Sequence, residues 1–167
     1  MLTDERKAEI LRLVAQLPEG ERVRAAVAMV VGWEARVNAE SDQGWWVLFH
    51  RERSKVPWPS THRAATEVDR PYSLHPLPPL RPCTAPTSLV WVPPYTTSLD
   101  AFMRDVEPWA RSRELLLELT ALEDEPKWCA YFDDNRGLPR HETGDFPALV
   151  CCLALLRAVG LGEVLNA

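Results

Sequence analysis

Glu114–Leu122 reads ELLLELTAL, Lys127–Asp133 reads KWCAYFD, and Asp145–Gly160 reads DFPALVCCLALLRAVG. The first stretch alternates, with Leu115, Leu117, Leu119 and Ala121 on one face, and so predicts a strand. Glu123–Pro126 turns the chain, and the second stretch returns as the antiparallel partner. In the third, Asp145 stands at a cap position, Pro147 suits a first helical turn and Gly160 an end. Arg157 is the only charge between Phe146 and Val159. A helix apolar nearly all round needs cover on more than one side. A strand–strand–helix unit of this kind anchors the chain.

Upstream of that unit, Tyr95–Ser98 (YTTS) supplies capping hydroxyls to a helix starting near Leu99, with Phe102, Val106 and Trp109 inward. Pro108 should kink or end it. Ser88–Val92 (SLVWV) reads as a strand, as does the aromatic and β-branched Trp45–His50 (WWVLFH). Ten of the 15 prolines fall from Pro57 to Pro94, and the eight from Pro57 to Pro86, between the two strands, exclude regular structure by removing ladder donors and blocking helix interiors. Residues 51–87 are therefore an irregular, proline-rich insertion. At the N-terminus, Ile10, Leu13, Val14 and Leu17 recur at helical spacing behind a Thr3 cap. Val23, Val27 and Val30 then mark a second helix through Glu21–Arg36, closing a helical hairpin, and Asn38–Gly44 is a turn. Asp133–Gly144 is polar and loop-like.

At 167 residues, 46% hydrophobic and 26% charged, the composition is that of one globular domain over residues 1–167. The element order lacks a regular βαβ alternation, so the expected class is α+β, a mainly antiparallel sheet with helices on its faces. A net charge of −5 argues against nucleic acid as the main partner. The charged N-terminus has no apolar signal core, and Phe146–Leu156 is too short to span a bilayer. The four cysteines show no metal-type spacing, and adjacent Cys151 and Cys152 diverge on a helix. The expectation is a cytoplasmic protein with reduced thiols and no membrane partner.

Met29–Trp33 (MVVGW), Pro93–Phe102 (PPYTTSLDAF) and DFPALVCCLALLRAVG together resemble the phage ABA-sandwich domain family, in order and spacing from about Arg22 to Gly160. In this chain Phe146 stands where that family has a small residue before the helix proline, and Trp45–Pro86 is expanded. The resemblance implies an α-β-α sandwich with helices on both faces, from a phage or prophage acting in a bacterial host cell. It carries over no catalytic residue.

The chemistry-bearing side chains form no recognisable constellation. His50, followed by Arg51 and Glu52, lacks a positioned partner for acid–base work. Cys129 or Cys83 with His141 could be imagined as nucleophile and base. Yet Cys129 alternates with large apolar residues and reads as a buried structural cysteine. The four histidines, scattered at 50, 62, 75 and 141, give no metal-ligand pair. Asp133-Asp134-Asn135 with Gly137 reads as a turn rather than a calcium loop. No metal and no cofactor are expected.

Two surfaces remain as candidate ligand or partner sites. Tyr95, Thr96, Thr97 and Ser98 open a helix whose free N–H groups could hold a phosphate or carboxylate, although capping explains them and Asp100 opposes an anion. If one face of the Trp45–His50 strand is open, Trp46, Trp58 and Tyr72, with His50, Arg51 and nearby arginines, could stack a base or contact a protein; core packing is the default for Trp45, Trp91, Trp109 and Trp128. The leading expectation is a non-enzymatic accessory protein that binds a host or phage protein, or itself as a homo-oligomer. The alternative is a small-ligand binder that sequesters a nucleotide signal of host defence. A hydrolase ranks third.

Overall fold

The computed structural model describes residues 2–38, 45–54, 62–64, 81–82, 89–123, 125–133, 141–162 and 164. The helical hairpin is present. Thr3 caps α1 (Asp4–Val14), its Oγ1 accepting from Arg6 N at 3.2 Å. Pro18 then opens α2 (Glu19–Val30). Ile10, Leu13 and Leu17 face Ala25–Val30 in the core. The second helix is shorter than its apolar stripe predicts. Gly32 takes φ +103°, Trp33 N donates to Ala28 O at 3.0 Å and Gly32 N to Met29 O at 3.4 Å. This pair of 6→1 and 5→2 bonds, with a left-handed glycine just past the end, stops a helix. Arg6 fastens the stop, donating to Met29 O (3.0 Å) and Trp33 O (2.8 Å). Glu34–Arg36, expected to be helical, instead begins strand β1 (Glu34–Asn38).

That strand pairs antiparallel with β2 (Trp45–Phe49), matching Glu34 to Phe49 and Val37 to Trp46. The expected turn at Asn38–Gly44 lies outside the described residues except Asn38, which ends β1. Two short pieces from the proline-rich segment complete the sheet, correcting its reading as wholly irregular. They are β3 (His62–Ala64), antiparallel to β1, and β4 (Arg81–Pro82), parallel to β2, in the order β3-β1-β2-β4. Pro82 sits on the sheet edge, where a missing donor costs nothing. Trp46, Val47, Leu48 and Phe49 are all buried, so β2 is covered on both faces.

The predicted strand at Ser88–Val92 is a turn in its described part, Leu89–Val92, closed by Val92 N to Leu89 O at 3.0 Å. Its carbonyls have a side-chain partner instead of a ladder. The Arg24 guanidinium donates to Pro93 O (3.1 Å), Leu89 O (3.4 Å) and Val92 O. Ser98 then caps α3 (Leu99–Asp105), accepting from Ala101 N at 3.2 Å. The helix ends at Val106, and Pro108 falls in the first turn of α4 (Glu107–Arg111), as its ring and missing N–H require.

A further sheet follows, ordered β5-β6-β7, from β5 (Leu116–Ala121), β6 (Trp128–Asp133) and β7 (Glu142–Gly144). The antiparallel β5–β6 pair is as expected, from Leu116↔Asp133 to Ala121↔Trp128. The last strand lies where a loop was expected. Helix α5 (Pro147–Ala158) starts at Phe146 with no side-chain cap, so Asp145 does not take the capping role assigned to it. It ends as α2 does: Gly160 takes φ +80°, Leu161 N donates to Leu156 O at 2.7 Å and Gly160 N to Arg157 O at 3.1 Å.

The class is α+β. Helix α5 packs on β6, β7 and α2, burying Val150, Cys151, Cys152, Leu155 and Leu156 together with Ala130 and Phe132 of the sheet. The residues of β5 that point the other way, Leu116, Glu118 and Thr120, are exposed. Among the described residues no helix is long and apolar enough to cross a membrane.

Candidate functional site

The candidate residues scatter. Trp46 is 0% exposed and its Nε1 donates to Gln16 Oε1 at 3.1 Å, so it belongs to the core and offers no stacking face. Tyr95 is equally buried; its hydroxyl donates to Asp105 Oδ2 at 3.3 Å. Burial, and next the Asp105 carboxylate, push that hydroxyl up to about 12. Burial would raise Asp105 too. The Arg104 hydrogen bonds at 3.0 and 3.1 Å and the Arg53 charge outweigh it and hold the carboxyl below its ordinary value. Trp58 and Tyr72 lie outside the described residues.

His50 and Arg51 line a polar cleft of about 580 Å³ with Gly32, Glu34, Arg36 and Glu52. The His50 Nδ1 accepts from Glu52 N and Arg53 N, both at 3.2 Å, so its lone pair is committed to closing the turn after β2. Burial first, then Arg53, lowers its pKa. A neutral ring with its basic nitrogen occupied is a turn residue, not a general base.

Ser98 spends its oxygen on the cap and Thr97 Oγ1 donates to Pro94 O at 3.4 Å. The helix they open has seven residues. No built anion site results. Thr96 and Thr97 have another setting: they stand on the rim of an open groove of about 1000 Å³. Val23 of α2 and Leu99 of α3 form one wall. Phe146, Leu149 and Leu153 of α5 form the other. The Glu142–Arg157 ion pair also lines it, and Glu19 adds a further carboxylate.

Phe146 decides its character, because it is 67% exposed while standing on an otherwise aliphatic wall. A large ring held in water beside a wide apolar surface marks a contact site more than a fold requirement. Sequence reading passes it over, although a Phe where the resembled family has a small residue is a usable signal. The all-round apolarity of α5 is another: Leu149 and Leu153 are only half-buried and complete the groove.

Cys129 also differs from its reading as a buried structural residue. It is half-buried and sits on the sheet face away from α5, its Sγ 3.5 Å from His141 Nδ1. Among the described residues no group of three or more His, Cys, Asp or Glu could hold a metal ion. No protein-family model matches this chain, and neither a curated protein nor a solved structure matches it.

Proposed function

We propose that this chain is a non-enzymatic accessory protein of phage or prophage origin that acts by binding a partner protein, whose apolar segment lies in the groove between α2, α3 and α5. The observation that carries the reading is Phe146, two-thirds exposed on the wall of an open apolar groove. At about 1000 Å³ the groove stands at the upper end of small-molecule cavities, roughly 300–1,000 Å³. Its open form suits a row of side chains from a peptide segment better than an enclosed small ligand. Aliphatic or aromatic anchors would sit between Phe146, Leu149 and Val23, with the Glu142–Arg157 pair fixing the register of a polar neighbour. The phage origin and the sandwich architecture rest on the resemblance of Met29–Trp33, Pro93–Phe102 and Asp145–Gly160.

The nucleotide-sequestering alternative asks for an aromatic face beside arginines. Its described platforms, Trp46 and Tyr95, are closed in the core. Thermal-shift measurement with cyclic and ADP-ribose nucleotides is expected to give no rise in melting temperature; a clear rise would replace the protein-binding reading.

The direct experiment compares wild type with Phe146→Asp and Leu153→Asp. Affinity capture from host lysate is paired with light scattering on the purified chains. The reading expects a partner retained by wild type and lost by both variants. Identical partners in all three would sink it. A wild-type dimer that the variants convert to monomers would identify the occupant as a second copy.

A further inference from the structure

The outward face of the β5–β6–β7 sheet carries the only close thiol–imidazole contact among the described residues. The register explains how it arises. Cys129 lies opposite Thr120 on one side and Thr143 on the other, and one further step along the β6–β7 register sets His141 opposite Tyr131. Side chains two apart on a strand share a face, so Cys129, Tyr131 and His141 project together, away from α5. The Tyr131 and His141 rings meet edge to face, centroids 4.5 Å apart. The Tyr131 hydroxyl in turn donates across the sheet to the Glu118 carboxylate. That hydrogen bond raises the phenol pKa, which keeps the hydroxyl a donor and the ring braced. A cross-strand row, Glu118–Tyr131–His141, thereby holds the imidazole against the sulfur.

We propose that Cys129 is a thiol–disulfide exchange site for small disulfides, with His141 as the base that takes its proton. In the step, the proton on Sγ passes to His141 Nδ1 and the sulfur attacks one sulfur of the incoming disulfide. The old S–S bond breaks as the new one forms. The leaving sulfur departs as a thiolate and takes up a proton from the imidazolium or from water. No external oxidant is needed, since the disulfide supplies the oxidising equivalent.

Two features favour exchange over acyl transfer. The strand that bears Cys129 is central, and at Cys129 it is laddered on both sides, to Thr120 and to Thr143; among the described residues no pair of backbone donors is turned towards the sulfur for an oxyanion. Exchange requires none, only in-line access to the sulfur. The flanking Thr120 and Thr143 are small and exposed, and they leave that approach open.

The test uses the full chain carrying Cys83→Ser. Cys151 and Cys152 are buried, and burial lifts the Cys151 thiol to about 12, so they stay silent while the chain is folded. With dithionitrobenzoate, one thiol is expected to react fast, none when Cys129→Ser is added, and three in denaturant for the Cys83→Ser chain. His141→Ala should slow the reaction about tenfold near neutral pH, with the difference closing in alkali, where hydroxide replaces the imidazole as the base. Extra reacting thiols would reveal a variant that has unfolded, and His141→Gln then supplies the comparison. Glutathione disulfide should give a mixed disulfide on Cys129, seen by intact mass and reversed by dithiothreitol. Equal rates with and without the imidazole across the pH range would overturn the proposal. So would the absence of a glutathione adduct.

Discussion

The two sheets of this protein treat their faces in opposite ways. Strand β2 is buried residue after residue from Trp46 to Phe49. Strand β5 alternates, with Leu117 and Leu119 against the core and Leu116, Glu118 and Thr120 in water. By composition alone, the aromatic strand β2 suggests a recognition surface and the leucine-rich β5 suggests pure packing. The structure reverses these roles: aromatic side chains at β2 are core, and the modest residues of β5–β7 carry the open chemistry. A strand rich in large apolar residues on both faces is a strand covered twice, and function has to be sought where one face is left over.

The largest effect expected from this contrast is on stability. Trp46→Ala should cost about 3–5 kcal/mol by denaturant unfolding, since it empties a filled site and strands Gln16, whereas Leu116→Ala should change stability by less than about 0.5 kcal/mol. Equal costs would abolish the distinction between the sheets. Asp105→Asn comes next, at about 1–3 kcal/mol, because it weakens the partner of Tyr95, Arg53 and Arg104. The Asp105 carboxyl is held low in the fold. Its stabilising share is therefore present above the unfolded value, roughly 3.9, and is lost as pH falls through the folded value. Melting curves over that acid range should depend less on pH in the variant.

His50 works in the same sense, at higher pH. Its folded value is lowered, so the unfolded chain takes up the proton first. Stability should drop as pH falls from about 6.5 towards the folded value and then level off. In His50→Asn the amide oxygen can accept the same two backbone N–H groups without titrating, and that slope should flatten in a thermal-melt series. The smallest stability effect is expected at Phe146. Phe146→Ser should leave unfolding within about 0.5 kcal/mol of wild type while abolishing partner capture, and a large loss of stability would mean that the ring serves the fold.

How much can be read in advance follows the range of the causes. The helical hairpin, the β5–β6 pair and α5 are legible because neighbouring residues determine them: a stripe, an alternation, a proline in the first turn and Gly160 at the end. Strand β1 is not, since the apolar pattern of α2 runs past Val30 and only the left-handed corner at Gly32 cuts it. The segment at Leu89–Val92 has strand composition, but Arg24, remote in sequence, satisfies its carbonyls. At three residues, β7 is too short to show a period, so the sequence offers Cys129 and His141 as an imaginable pair without showing the strand that brings them together. The groove is assembled from α2, α3 and α5. Among its residues Thr96 and Thr97 stand out beforehand for capping, and Phe146 only as a departure from the resembled family.

Arg24 has a kinetic consequence. Its bonds to Leu89, Val92 and Pro93 join residues 65 to 69 positions apart. Closing so long a loop is entropically late work in folding, after the local hairpins have formed. Contacts made after the barrier do not speed its crossing; they slow the way back. Arg24→Lys, which cannot present the planar fork of donors to the same carbonyls, should therefore leave the refolding rate in stopped-flow nearly unchanged and raise the unfolding rate. On that account the guanidinium lengthens the life of the native chain without hastening its formation.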